Sequence, residues 1–287
     1  MDRLKERVCF ITGGASGIGL GLARALGSHG MKIALSDIDS TSLDIAVQQL
    51  RTEGVVVSGF PLDVTDYNAF AKAAEDVRRA FGTVNVLCNN AGVALEGPID
   101  SWSTAGWRWV LDVNVMGVVN GVRSFAPILT TNAEGGHIVN IASIGGLIGG
   151  GQHGQYAASK FAVVGLSQSL REELAPYGIG VTVVCPGFVR SSIASAGRNA
   201  PPELAGRQEW LLSEGFSSNA RNFFQTMANR IKCGLDPLIV GHMIREAIEK
   251  GDFYLFTDTE FLDEVERRQR WVEKAINSIR RNPDAPR

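Results

Sequence analysis

Tyr156 and Lys160 stand four residues apart in the run GQYAASKFAVVGL. On an α-helix that spacing puts both side chains on one face, a turn apart. An ammonium beside a phenol has a chemical use. A free phenol, with a pKa of roughly 10, keeps its proton at neutral pH. A cation about 4 Å away at an effective dielectric near 20 favours the phenolate by roughly 4 kcal/mol, or about three pKa units. A tyrosine so placed exchanges protons near pH 7 and serves as a base. Taken alone, the pair more readily describes an amphipathic helix with a solvated lysine and a half-buried tyrosine, and residues elsewhere decide between the two.

The run TGGASGIG places Gly13, Gly17 and Gly19 between an apolar stretch, RVCFIT, and a segment of helical period. Glycines at a strand-to-helix turn let the backbone approach a pyrophosphate, and the helix N-terminus offers unpaired N–H groups with partial positive charge. The spacing G-x-x-x-G-x-G differs from the commoner G-x-G-x-x-G fingerprint. Asp37 ends the second apolar run, where a carboxylate accepts hydrogen bonds from the adenosine ribose hydroxyls. A 2′-phosphate would set roughly two negative charges beside it. Neither Ser36, Ile38 nor the glycine loop carries an Arg or Lys to compensate, so NAD is expected over NADP. The plainer role for Asp37 is to turn the chain into a helix starting near Ser40.

Positioning such residues takes a scaffold, and its period is readable. Short β-branched runs alternate with helical segments: RVCFIT then 17–29, MKIALS then 40–53, VVVSGF then 66–81, NVLCNN then 104–132, HIVNIAS then 153–176, IGVTVVC, and after an irregular stretch 236–250 and DFYLFT. Alternation of this kind gives an α/β fold, a Rossmann-type doubly wound parallel sheet with helices on both faces. One dinucleotide-binding domain is expected over 1–287. Its irregular stretch, about 188–235, carries Phe188, Trp210, Leu211, Phe216, Phe223 and Phe224 and is expected to form a substrate lid. A final amphipathic helix at about 260–281 has apolar positions at Phe261, Leu262, Val265, Trp271, Val272, Ala275 and Ile276.

Composition narrows the function class. With 28 basic and 30 acidic residues, a net charge of −2 and no block of like charge before the mildly basic tail, neither nucleic acid nor an anionic membrane is the expected partner. The cysteines, Cys9, Cys88, Cys185 and Cys233, are far apart and form no CxxC, so reduced thiols and no metal are expected. No apolar stretch is long enough to span a bilayer, and MDRLKERVCF lacks the apolar core of a signal peptide. A cytoplasmic location follows as the expectation.

Together these residues resemble the short-chain dehydrogenase/reductase family from about residue 5 to 255. The matching motifs run in order: TGGASGIG, LDV at 62–64, NNAG at 89–92, VNVMG around Asn114, Ser143, the YxxxK pair, and PGFVRS from Pro186. The resemblance implies that Gly13, Ser16, Gly17, Ile18 and Gly19 surround the pyrophosphate, while Asp37 and Ile38 hold the adenosine ribose. Asp63 and Val64 border the adenine, Asn90 and Gly92 lie near the nicotinamide ribose, and Val189 and Ser191 meet the carboxamide. At the last position the family often has threonine, and serine keeps the hydroxyl. The implied catalytic tetrad is Asn114, Ser143, Tyr156 and Lys160. Tyr156 takes the substrate proton, Ser143 orients the oxygen, Lys160 serves both the tyrosine and the nicotinamide ribose, and Asn114 holds a water linking the site to solvent. His153 and the GGLIGGG run at 145–151 are expected to line the substrate mouth.

Apolar walls with few charges predict a bulky apolar or aromatic secondary alcohol as substrate. The stretch SSIASAGRNAPPEL, the later CGLDPLIVGHMIREAIEKGDFYLFT and the C-terminal helix resemble bacterial dehydrogenases that oxidise the benzylic Cα alcohol of lignin-derived aryl ethers. A steroid or alicyclic alcohol is the second expectation. A catalytically silent NAD-binding sensor is the alternative from another class. The family pairs through two long helices, here near 104–132 and 153–176, so a homodimer is expected, with a tetramer as the family's other arrangement.

Overall fold

The computed structural model describes residues 4–95, 97–98, 103–204 and 218–281, and for 218–221 only the backbone. The expected lid residues Trp210, Leu211 and Phe216 lie outside the described residues.

Seven parallel strands form one sheet in the order β3-β2-β1-β4-β5-β6-β7. They are β1 Val8–Thr12, β2 Lys32–Asp37, β3 Val57–Pro61, β4 Val86–Asn89, β5 Gly136–Ile141, β6 Ile179–Cys185 and β7 Tyr254–Phe256. Successive side chains of a strand face opposite layers, and here both layers are dry. In β1, Cys9 and Ile11 pack with Leu22 and Leu26 of α1 (Gly17–Ser28), Leu43 and Leu50 of α2 (Ser40–Thr52), and Val240 and Ile244 of a later helix, Pro237–Lys250. Val8 and Phe10 face the other layer, with Phe70 and Val77 of α3 (Tyr67–Phe81) and Leu170 and Leu174 of a long helix, Gly154–Leu174. Phe10 stacks on Phe125 at 4.6 Å between centroids, with Phe70 edge-on to Phe125 at 6.2 Å.

Expected helix boundaries hold to within a few residues, because the sequence caps its helices: the Asp39 carboxylate accepts from Ser42 N–H, the Asp66 carboxylate from Asn68 and Ala69, and Asp236 from Leu238 just ahead of Pro237. The segment expected as one helix over 104–132 differs. It consists of α4 (Thr104–Leu111), a π turn at Asp112–Met116 and α5 (Gly117–Thr130). One wide turn leaves the apolar period nearly intact, so the pattern does not announce it. The helix Gly154–Leu174 is α6; α7 is Ser218–Lys232, α8 is Pro237–Lys250, and α9 is Leu262–Arg280.

α1 and α8 cross backbone to backbone. A Cβ on Gly21 would lie 2.2 Å from the carbonyl oxygen of Pro237, and one on Gly241 would lie 2.5 Å from that of Gly21. The amphipathic stripe of α9 is mostly uncovered. Val265 packs on the core at β6, whereas Trp271 is 64% exposed and Ile279 55%. Among the described residues, no helix is long and apolar enough to cross a membrane.

Candidate active site

Where the chain reverses direction of travel across a doubly wound sheet, the loops after neighbouring strands part and leave a crevice. Here β1 and β4 are neighbours at the middle of the order, and the gap past their carboxyl ends opens into a cleft of about 1290 Å³. Thr12 and Asn90 join its two sides. The Thr12 hydroxyl accepts from the backbone N–H groups of Asn90 and Ala91, each at 3.0 Å, and Asn90 Nδ2 donates to the carbonyls of Thr12 and Gly13 at 2.8 and 2.9 Å.

The glycine turn is shaped for close approach. Gly13 has φ +61° and no room for a Cβ, which would fall 2.8 Å from Ala91 Cα. Gly17 has φ +52°, and its Cβ would fall 2.8 Å from that of Ser191, so the loop after β6 rests on the start of α1. Gly19 does not line the cleft; a Cβ there would meet the Gly13 carbonyl oxygen at 2.4 Å, so its smallness lets α1 start under the turn. Ser16 caps α1 without a side-chain bond to the first-turn N–H groups, leaving them for an anion. Asp37 Oδ2 accepts from Ala15 N–H and Oδ1 from Asp39 N–H, which aims the carboxylate and leaves each oxygen lone-pair capacity for ribose hydroxyls. This cradle fits a dinucleotide.

Ser16, Ile18, Asp37, Ile38, Asp63, Val64, Asn90, Gly92, Val189 and Ser191 all line the same cleft. Asp63 caps its own turn by accepting from Thr65, and Asn120 of α5 holds the Val64 carbonyl at 2.9 Å. Val189 bridges in parallel to Leu235, which pins the two ends of the expected lid together.

Ser143, Tyr156 and Lys160 converge on the cleft beyond the end of β5. Ser143 opens a tight turn, Ile144–Gly146, and its Oγ accepts from Gly145 N–H at 3.0 Å. With that lone pair used, the hydroxyl proton is free to point outward. A Cβ on Gly145 would sit 3.5 Å from Ser143 Oγ and 3.6 Å from the Tyr156 ring, so this position borders both groups. Lys160 is buried, its Nζ donating to the Ile141 carbonyl at 2.9 Å and lying 5.6 Å from the Tyr156 ring centroid. Burial pulls its pKa down to about 8, opposed by the neighbouring Cys185 thiol.

Asn114 stands behind these groups in the π turn and does not line the cleft. Its Oδ1 accepts from Val93 N–H at 2.8 Å, and its Nδ2 donates to the Val93 carbonyl and to Ser159 Oγ, both at 2.9 Å. Ser159 Oγ in turn donates to the Tyr156 carbonyl at 2.7 Å. The amide therefore ties α4–α5 to the loop after β4 and to the helix carrying Tyr156, with both N–H groups and one lone pair of its oxygen engaged. Gly92 lies between Asn114 and Lys160: a Cβ would be 3.3 Å from Asn114 Oδ1 and 3.4 Å from Lys160 Nζ.

The cleft that Tyr156 lines has apolar walls at Val93, Leu95, Trp109, Ile148, Phe188, Phe224 and Phe261, with Arg108, Asp112 and Arg230 also on its border; His153 lies 6.5 Å from the Tyr156 ring and edge-on to Phe223 at 4.8 Å. Phe261 arrives from the C-terminal segment. It packs on Phe188 at 5.9 Å, Arg230 of α7 lies 4.1 Å over the Phe188 ring, and Arg230 pairs with Glu260. Nothing in the sequence pattern links Phe261 to this wall. Ser36, Ile38 and the glycine loop carry no cation, as the sequence states, and the turn Ile193–Asn199 adds Arg198 to a polar pocket that Asp37 and Asp39 also line. The lid run has no period from which that approach is readable.

Residues 7–201 match the short chain dehydrogenase family. The chain is 32% identical over its whole length to a C alpha-dehydrogenase of Sphingobium sp. (strain NBRC 103272 / SYK-6), covering 92% of that protein. It is similar to the crystal structure of a short chain dehydrogenase/reductase from Burkholderia phymatum in complex with NAD, with TM-score 0.88, 36% identity and coverage of 100% of this chain and 99% of that one. A metagenomic short-chain oxidoreductase in complex with NADP is similar over 64% of this chain and 84% of that one, with TM-score 0.61 and 34% identity. Fold, motif order and these likenesses agree: the chain belongs to the short-chain dehydrogenase/reductase family.

Proposed function

We propose that this oxidoreductase interconverts a secondary alcohol and a ketone with NAD, on a bulky apolar or aromatic substrate. The observation that carries the reading is the convergence of Ser143, Tyr156 and buried Lys160 on one apolar-walled cleft that also holds the glycine turn and Asp37. Tyr156, as phenolate, removes the substrate hydroxyl proton, and the Lys160 charge favours that phenolate. The Ser143 hydroxyl donates to the substrate oxygen as alcohol and as carbonyl. The dinucleotide, when bound, supplies the hydride acceptor. Asn114 and Ser159 keep the Tyr156 helix and the Val93 loop in register, and Val189 and Ser191 face the carboxamide end. The walls exclude water from the reacting carbon.

NAD is preferred over NADP because the Asp37 carboxylate repels a 2′-phosphate. Trp109, Phe188, Phe224 and Phe261 supply flat apolar walls suited to an aryl group, in keeping with the named relative, a C alpha-dehydrogenase. The working unit in this reading is a cytoplasmic homodimer. The test is absorbance at 340 nm with NAD and a panel of secondary alcohols: aryl carbinols give NADH fastest. Silence across the panel with NAD binding intact would identify a sensor instead.

A further inference from the structure

Three distant stretches of chain meet at the cleft wall: Phe188 after β6, Arg230 in the last turn of α7, and Phe261 just ahead of α9. The last of these is fixed from the sheet. The Thr257 hydroxyl, next to the end of β7, accepts from Gly187 N–H at 3.2 Å and donates to Asp258 Oδ2 at 3.0 Å, and Asp258 Oδ1 accepts from Glu260 N–H at 3.1 Å. These bonds set Glu260 and Phe261 beside Phe188, with the two rings 5.9 Å apart.

The helix α7 needs holding. Phe224, Met227, Ala228 and Ile231 line the cleft, and their spacing is that of one helix face, so the roll of α7 about its axis decides which side chains the cleft meets. Near the start of the helix, Phe223 meets His153 edge-on. Near its end, the Arg230 guanidinium lies 4.1 Å from the centre of the Phe188 ring and 5.6 Å from that of Phe261, while Nη2 pairs with Glu260 Oε1. Arginine can make both kinds of contact at once, because its fork meets a carboxylate in its own plane while its face covers a ring.

We propose that Arg230 is a positioning residue for the alcohol: by clamping the end of α7 to Phe188, Glu260 and Phe261, it fixes the roll of that helix and sets the aromatic wall before substrate arrives. The inference rests on the reading above that the alcohol binds against these walls. It gives Glu260, which does not line the cleft, a part in substrate binding through Arg230. The ion pair is modest by itself, since the two side chains keep 36% and 48% of their exposure. The clamp therefore works as a sum of small contacts, and salt weakens it.

Two measurements on the full chain test this: steady-state oxidation of phenyl methyl carbinol with NAD, and hydrogen exchange of the α7 amides. Arg230→Met keeps bulk and removes the charge. It raises KM for the carbinol about fivefold with kcat and NADH affinity within about twofold, and the α7 amides exchange several-fold faster. Arg230→Lys keeps a cation and recovers part of both effects. Glu260→Gln moves both readouts the same way by less, and adds nothing when combined with Arg230→Met. Wild-type KM rises more steeply with added salt than that of Arg230→Met. Unchanged exchange and KM would overturn the clamp. Faster exchange at unchanged KM would reduce Arg230 to a structural contact and overturn the positioning role, as would a fall in kcat at constant KM or an equal loss of NADH affinity. Faster exchange in a chain that oxidises no alcohol with NAD would overturn the proposed function and leave the hold of Arg230 on α7 standing.

Discussion

Lys160 is a charge held where charge is expensive, and that makes its protonation visible twice. With its pKa pulled down to about 8 by burial, the folded protein binds fewer protons than the unfolded chain between that value and the ordinary lysine value. Stability therefore rises with pH across that window, as the buried charge is released. Catalysis runs the other way, because the same deprotonation removes the field that favours the Tyr156 phenolate. The profile of kcat/KM is expected to descend with an apparent pKa of about 8; a flat profile up to pH 10 would contradict this. Tyr156→Phe is expected to lower turnover by roughly 10²-fold or more with NADH affinity, read by fluorescence, unchanged within about twofold. A loss below about tenfold would remove Tyr156 from the role of base.

The elements that aim these residues were legible where packing follows period. The central strands are mostly apolar runs, and the turn glycines stand where Ala91 and Ser191 leave no room for a side chain, so type and place agree. The supports were less legible because they are single contacts between distant segments. Ser159 sits between Tyr156 and Lys160 and gives no sign that it reaches Asn114 in the π turn. Arg198 and Phe261 reach the cleft from stretches with no strand period. The uncovered stripe of α9 looked like a packing face by period alone, and only its first turns meet the body of the protein. Ser159→Ala is expected to cost roughly 1–3 kcal/mol of stability, since an Asn114 N–H loses its partner in a dry place. Urea unfolding measures it, and a change within error would show that Asn114 finds another acceptor.

At the scale of the whole molecule, two layers of helices meet one sheet, and the cleft lies past the strand ends where the connections after β1 and β4 run to opposite sides of the sheet. The cleft borders the ends of β2 and β5 and the loops after β1, β4 and β6, so in the proposed reading a bound dinucleotide would link both halves of the core. Saturation with NAD at 100-fold its Kd is expected to stabilise the fold by about 2.7 kcal/mol and to raise the melting midpoint by roughly 5 °C or more; calorimetry with and without NAD checks it. The Val189–Leu235 bridge has a consequence of another kind. Since Leu235 N–H donates to the Phe188 carbonyl and Arg190 N–H to that of Leu235, the chain leaves the core and returns to it through one doorway. Everything between is a cassette. The doorway holds Ser191 against Gly17 whatever side chains stand between its two ends. Exchange of residues 192–234 for the matching stretch of another family member is expected to change the alcohol preference and to leave NADH affinity within about threefold, measured by the same fluorescence titration.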